Sequence, residues 1–141
     1  MNSSINITSQ KIEAREIAND ERLQTLPRHF GRHMLTVEYA VYAFMRKLAN
    51  PYSGGYWAFV ELSNGGFYMA PECDTELSIC VEGNGFEGTM SADAAGITVC
   101  LFALSHLSFQ IADESIGEHF HRLRDFALEH AEASAILTAI D

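Results

Sequence analysis

The chain has 141 residues, 48% of them hydrophobic and 20% charged, with a formal net charge of −10. That length suits a single domain, and the apolar share supports a core without metals or staples and excludes a disordered chain. The acidic balance disfavours grip on a phosphate backbone. The charge is uneven: residues 1–71 hold seven Lys/Arg against six Asp/Glu, whereas residues 72–141 hold two against thirteen. The second half repels nucleic acid and attracts a basic protein surface.

Residues 1–8 read as a flexible tail ahead of a single domain over 9–141. The opening MNSSINITSQ has neither the basic nor the apolar region of a signal peptide, and no apolar run is read as membrane-spanning. Cys73, Cys80 and Cys100 are odd in number and form no CxxC, which suits reduced thiols in a cytoplasmic protein.

A first, polar helix is expected from about Ser9 to Leu23, broken by Pro27 and Gly31. Met34, Val37, Val41, Phe44 and Leu48 then recur at helical spacing and predict a second helix, ended by Asn50-Pro51. Residues 54–96 hold eight of the ten glycines. Two-fold alternation over Gly55–Ser63 predicts a strand, Asn64-Gly65 a turn, and Phe67–Ala70 the returning strand. Glu76–Glu82, the turn Asn84-Gly85 and Phe86–Met90 repeat the pattern. Ser91 is the expected N-cap of a helix apolar around most of its circumference, which belongs at the centre of the fold. Ser115-x-x-Glu118 predicts a capping box for the next helix, and a short Ala-rich helix closes the chain. The fold class is α+β: a small antiparallel β-meander of three to four strands packed with about four to five helices.

Motifs for chemistry are weak. Gly83-Asn84-Gly85-Phe86-Glu87-Gly88 spells GxGxxG, but no helix opens directly after it, so it reads as a hairpin rather than a dinucleotide loop. His29 and His33 lack the glutamate of HExxH, and His119 and His121 diverge on a helix. Ser91 is a cap, and Cys100 reads as packing. No catalytic residue, metal site or cofactor is expected. Contact residues are sought on turns held by a rigid scaffold: Asn64, Gly65, Asn84 and Gly85, with Trp57 as an anchor if its face is uncovered. Glu114, Glu118, Asp125, Glu129 and Glu132 form a candidate acidic face. Arg28 and Arg32 form a small basic cluster.

Four segments carry a resemblance: Leu26-Pro27-x-x-Phe30-Gly31, GGYWAFVELSNGGFYMAP, VEGNGFEGTMSADAAGITVCLFAL and RLRDFALEHAEASAILTAID. In this order, over about residues 20–141, they resemble the ArdB/KlcA antirestriction family. The departures fall in the tail and in PECDTELSIC. The resemblance implies a cytoplasmic protein of plasmids and other mobile elements that protects incoming DNA from type I restriction-modification enzymes. It implies a compact α+β domain and no catalytic residues. The expected mode is protein contact with the restriction enzyme, directly or through a host factor, and not catalysis. Alternatives are an acidic DNA mimic that occupies the enzyme's DNA site, and a weak nucleic-acid binder or hidden hydrolase built on Arg28, Arg32 and the glycine turns.

Overall fold

The computed structural model describes residues 11–50, 52 and 54–141; the expected tail and Pro51 lie outside them. In chain order the elements are β1 (Ala14–Glu16), α1 (Arg22–Phe30), α2 (Met34–Leu48), β2 (Ala49–Asn50), β3 (Trp57–Leu62), β4 (Phe67–Pro71), β5 (Leu77–Val81), β6 (Phe86–Met90), α3 (Ala92–Gln110), α4 (Glu114–Glu129) and α5 (Ala133–Ile140).

The α+β class and the four expected strands hold, but the strands divide between two sheets. The β3–β4 hairpin joins β1 in the order β1-β3-β4, and the β5–β6 hairpin joins β2 in the order β2-β5-β6, all antiparallel. The reason lies on the free edge of β4. Phe59 faces Met69 and Trp57 faces Pro71 across the β3–β4 ladder; the bonds at its two ends, Glu72 N–H to the Tyr56 carbonyl and Leu62 N–H to the Gly66 carbonyl, set an alternation that turns the main-chain groups of Met69 and Pro71 outward. Pro71 has no N–H to offer a further strand there. At Met69 the edge is closed by α3: the Cys100 thiol accepts from Met69 N–H and donates to the Met69 carbonyl, both at 3.5 Å.

That contact requires the helix to lie almost on the strand backbone. Gly96, one turn before Cys100, makes it possible: a Cβ at position 96 would stand 2.4 Å from Ala70 Cβ and 2.6 Å from the Met69 carbonyl oxygen. Helix α3 packs on β4, α2, α4 and α5 and is buried around its circumference, from Ala94 and Ile97 to Leu104 and Leu107. Contrary to the expectation of no spanning run, α3 is long and apolar enough to cross a membrane by length and composition; most of its surface is already covered by protein. Its Ser91 cap is as expected, with Oγ accepting from Ala94 N–H at 3.1 Å.

Three local expectations are corrected. Residues 14–16 form an edge strand instead of a helix, with Ile17 N–H on the Phe59 carbonyl and Ser63 N–H on the Glu13 carbonyl; the segment has too few apolar positions for a helix stripe, and Ile17 is the residue it buries. Helix α1 begins only at Arg22 and carries Pro27 within it. The break falls at Gly31, whose φ of +52° ends the helix. The cap of α4 is Asp113, which accepts from Ser115 N–H at 3.0 Å, in place of Ser115 itself.

Replacing Gly96 by Ala should destabilise the fold by about 1–3 kcal/mol, because the obstacles are the Ala70 Cβ and the Met69–Ala70 backbone, none of them a movable side-chain end. Gly117, in α4 with nothing near its would-be Cβ, is the internal control: Gly117→Ala should stabilise by roughly 0.5–1 kcal/mol. Thermal unfolding of the two variants should therefore shift in opposite directions.

Candidate functional site

The two glycine turns form as expected, with Gly65 at φ +91° and Gly85 at φ +76°. Their asparagines are occupied internally, and in the same way. Asn64 Oδ1 accepts from Gly66 N–H at 2.9 Å, and its Nδ2 donates to the Arg122 carbonyl of α4 at 3.0 Å. Asn84 Oδ1 accepts from Phe86 N–H at 2.9 Å, and its Nδ2 donates to the Ala139 carbonyl of α5 at 2.8 Å. Each hairpin is thus pinned to a carboxy-terminal helix, and the turn chemistry that suggested contact points is a fastening.

Trp57 is no exposed anchor. It is 3% exposed, its indole N–H donates to the Tyr52 hydroxyl at 2.9 Å, and Tyr42 packs edge-on at 5.1 Å. The acidic face is smaller than its five members. Glu129 accepts from Ile12 N–H at 2.9 Å, and Glu132 accepts from both the main chain and the hydroxyl of Ser91, tying the start of α5 to the cap of α3. Glu114, Glu118 and Asp125 remain exposed on α4, within an arc of about 40° at 3.6 residues per turn, with Arg122 beside Glu118 at 3.8 Å.

The basic cluster is divided. Arg28 is held by Glu61 at 2.6 Å, while Arg32 makes no ion pair among the described residues. Glu61, on β3 and with its side chain only 18% exposed, also receives Arg15 at 3.0 Å and His29 Nε2 at 2.7 Å. Burial raises the Glu61 pKa, but the bonds from Arg28 and His29 outweigh it and hold the carboxyl below its usual range. Burial keeps His29 below its ordinary value despite Glu61, so a neutral His29 donates to a carboxylate. Beside it, His119 is buried, 3.2 Å from the His29 carbonyl through Nε2, with Nδ1 unpartnered among the described residues. Burial pushes its pKa down to about 4.

A second network joins Tyr68, Asp93 and His130. The Tyr68 hydroxyl donates to Asp93 at 2.7 Å and His130 Nε2–H donates to its other oxygen at 2.8 Å. The tautomer is fixed because His130 Nδ1 accepts from Glu132 N–H. Burial pushes the Tyr68 pKa up. The bond to Asp93 raises that of His130. These groups sit in cross-braces between β4, α3, α4 and α5. The sequence offered one signal for the first network, a lone acid inside the apolar strand WAFVEL, and none for the second.

Neither network presents a nucleophile next to a free base. No group of three or more His, Cys, Asp or Glu able to hold a metal occurs among the described residues. The open clefts differ in character. One of about 690 Å³ between β4 and the start of α3 carries Glu16, Glu72, Asp74 and Asp93 and no basic residue. One of about 250 Å³ between α1 and α2 is lined by Leu23, Pro27, Leu35 and Phe59, with Arg22 and Glu38.

The architecture is therefore an α+β domain in which many polar side chains brace the fold and whose outer surface carries charged and apolar patches. Residues 50–141 match the sequence profile of the antirestriction protein family. The chain is 49% identical to antirestriction protein KlcA of Escherichia coli over 92% of its own length and 94% of that protein. It is 39% identical to YfjX of E. coli strain K12, over 93% and 89% of the two chains. A solved structure superposes with a TM-score of 0.87 at 49% identity, covering 94% of this chain and 96% of the other; it is described as showing that KlcA and ArdB have a novel fold and antirestriction activity against type I DNA restriction systems in vivo but not in vitro. The chain belongs to the antirestriction protein family.

Two outcomes follow from the buried groups. Between pH 6.5 and about 4 the unfolded chain binds a proton at His119 that the folded chain refuses, so stability falls as pH drops through that window. His29 acts in the same direction and His130 in the opposite one. His119→Phe should flatten the decline in denaturation midpoint between pH 7 and 4.5. Cys73 and Cys80 are exposed, whereas Cys100 is buried, with burial pushing its pKa up to about 12. A disulfide reagent should therefore titrate two thiols quickly in the native protein and the third only on unfolding.

Proposed function

We propose that this chain protects incoming DNA from type I restriction-modification enzymes in the cytoplasm, by protein contact and not by catalysis. The observation that carries the reading is 49% identity across nearly the whole chain to a solved protein with that activity. The mode is supported by the use of His29, His119, His130, Glu61 and Asp93 as braces, and by that relative's activity in vivo but not in vitro. Inhibition that is absent with purified components fits a contact made through a further host protein, or with the restriction enzyme in a state found only in the cell.

DNA mimicry is the second reading, and charge density argues against it. Even with Glu129 included, the stripe of α4 places four carboxylates over about 22 Å of helix, roughly one per 5–6 Å, against one phosphate per about 1.7 Å of duplex axis. Arg122 and Arg124 dilute it further. Nucleic-acid binding is disfavoured too, since Glu61 takes Arg28 out of the basic cluster.

Expression in a host with an active type I system should raise the plating of unmodified phage toward that of modified phage; unchanged plating refutes the reading. In the same assay the triple variant Glu114→Lys, Glu118→Lys, Asp125→Lys should protect like wild type. Loss of protection with an unchanged Tm would instead place this acidic face in the protective contact.

A further inference from the structure

The cleft between α1 and α2 joins two features that proteins normally avoid. The first is exposed apolar surface: Leu23 is 88% exposed, Leu35 67% and Tyr39, one turn after Leu35, 69%. Leu23 and Leu35 stand on opposite walls of the same cleft. Large apolar side chains gathered in this way mark contact sites.

The second is an unanswered guanidinium. Arg22 lies over the Phe59 ring at 4.0 Å and the Tyr56 ring at 4.6 Å. Its Nη1 is sealed from solvent without an acceptor, and no hydrogen bond or ion pair engages the rest of the group among the described residues. Glu38, on the same cleft, is turned to the Tyr42 hydroxyl at 3.2 Å instead. Arg22 is the first residue of α1, with Asp20 and Glu21 in the turn just before it, yet neither carboxylate pairs with its guanidinium. Two aromatic rings hold the fork in place; with Nη1 sealed, its Nε and Nη2 edge is the side preorganised for bidentate capture of a carboxylate.

We propose that this cleft binds a segment of a partner protein that presents apolar side chains to Leu23 and Leu35 and an Asp or Glu carboxylate to Arg22. The amino-terminal MNSSINITSQ has no carboxylate side chain, which makes it a poor match for Arg22. The role of this cleft in protection rests on the reading of function given above; its binding chemistry does not.

The test is selection from a random twelve-residue peptide library on the purified full chain. Recovered peptides should combine apolar residues with an Asp or Glu. Changing that acid to its amide, or Arg22 to Met, should weaken binding about tenfold or more, equivalent to about 1.4 kcal/mol. The double variant Leu23→Asp, Leu35→Asp should abolish binding. Arg22→Met should leave Tm unchanged or higher, because it removes an unpaired, partly buried charge. Peptides without acids, or binding indifferent to Arg22, overturn the proposal. Tighter binding after deletion of residues 1–10 assigns the cleft to the tail, and a dimer dissolved by Leu35→Asp assigns it to a second copy; either also overturns it. In the plating assay the Leu23→Asp, Leu35→Asp variant should lose protection with Tm preserved. Full protection by that variant rejects the cleft while leaving the function intact, whereas failure of the wild-type chain rejects the function and leaves the peptide result standing.

Discussion

The structure depends on how closely α3 approaches the outer edge of β4. An unpaired edge exposes main-chain donors and acceptors that invite another strand. Here the edge meets a helix instead. Gly96 removes the side chain that would hold the helix away, and Cys100 supplies a soft donor and acceptor for both groups of Met69. A larger residue at either position forces the helix off the strand. The close approach places α3 where both sheets and three other helices can pack on it, so one apolar helix serves as the shared core.

That arrangement explains why few polar residues are left for chemistry. Two small sheets around one helix leave many element ends to fasten, and the chain fastens them with side chains. Asn64 and Asn84 clip hairpins to α4 and α5; Glu132 ties α5 to the α3 cap; Asp93 gathers Tyr68 and His130; Glu61 gathers Arg15, Arg28 and His29. What remains outside is contact surface: the acidic cleft, the short acidic stripe of α4, and the apolar cleft around Arg22. A protein of this kind is suited to action through binding, in keeping with the proposed role.

Much of the fold was legible because its signals are local. The alternation of residues 57–62, the Asn-Gly turns, the stripe of α2 and the Ser91 cap each depend on near neighbours in sequence. The division into two sheets was not legible, because it is decided by the contact of β4 with a helix that begins some twenty residues later. The start of the chain misled for a similar reason: β1 exists only because β3 offers it an edge. Among candidate contact residues, the exposed acids Glu114, Glu118 and Asp125 stood where helical spacing put them. Trp57 and the turn asparagines were consumed by tertiary partners that the sequence does not display. Arg22 gave no signal at all, since the aromatic stack that isolates it comes from residues 56 and 59.

The sealing of β4 by α3 can be measured at a single atom. Hydrogen exchange of the Met69 amide reports whether the edge opens independently of global unfolding. If α3 seals the edge, this amide exchanges as slowly as that of Leu101 in the middle of α3, and only through global unfolding. Exchange of Met69 at the rate of an open, solvent-facing edge amide, while Leu101 stays protected, would contradict it.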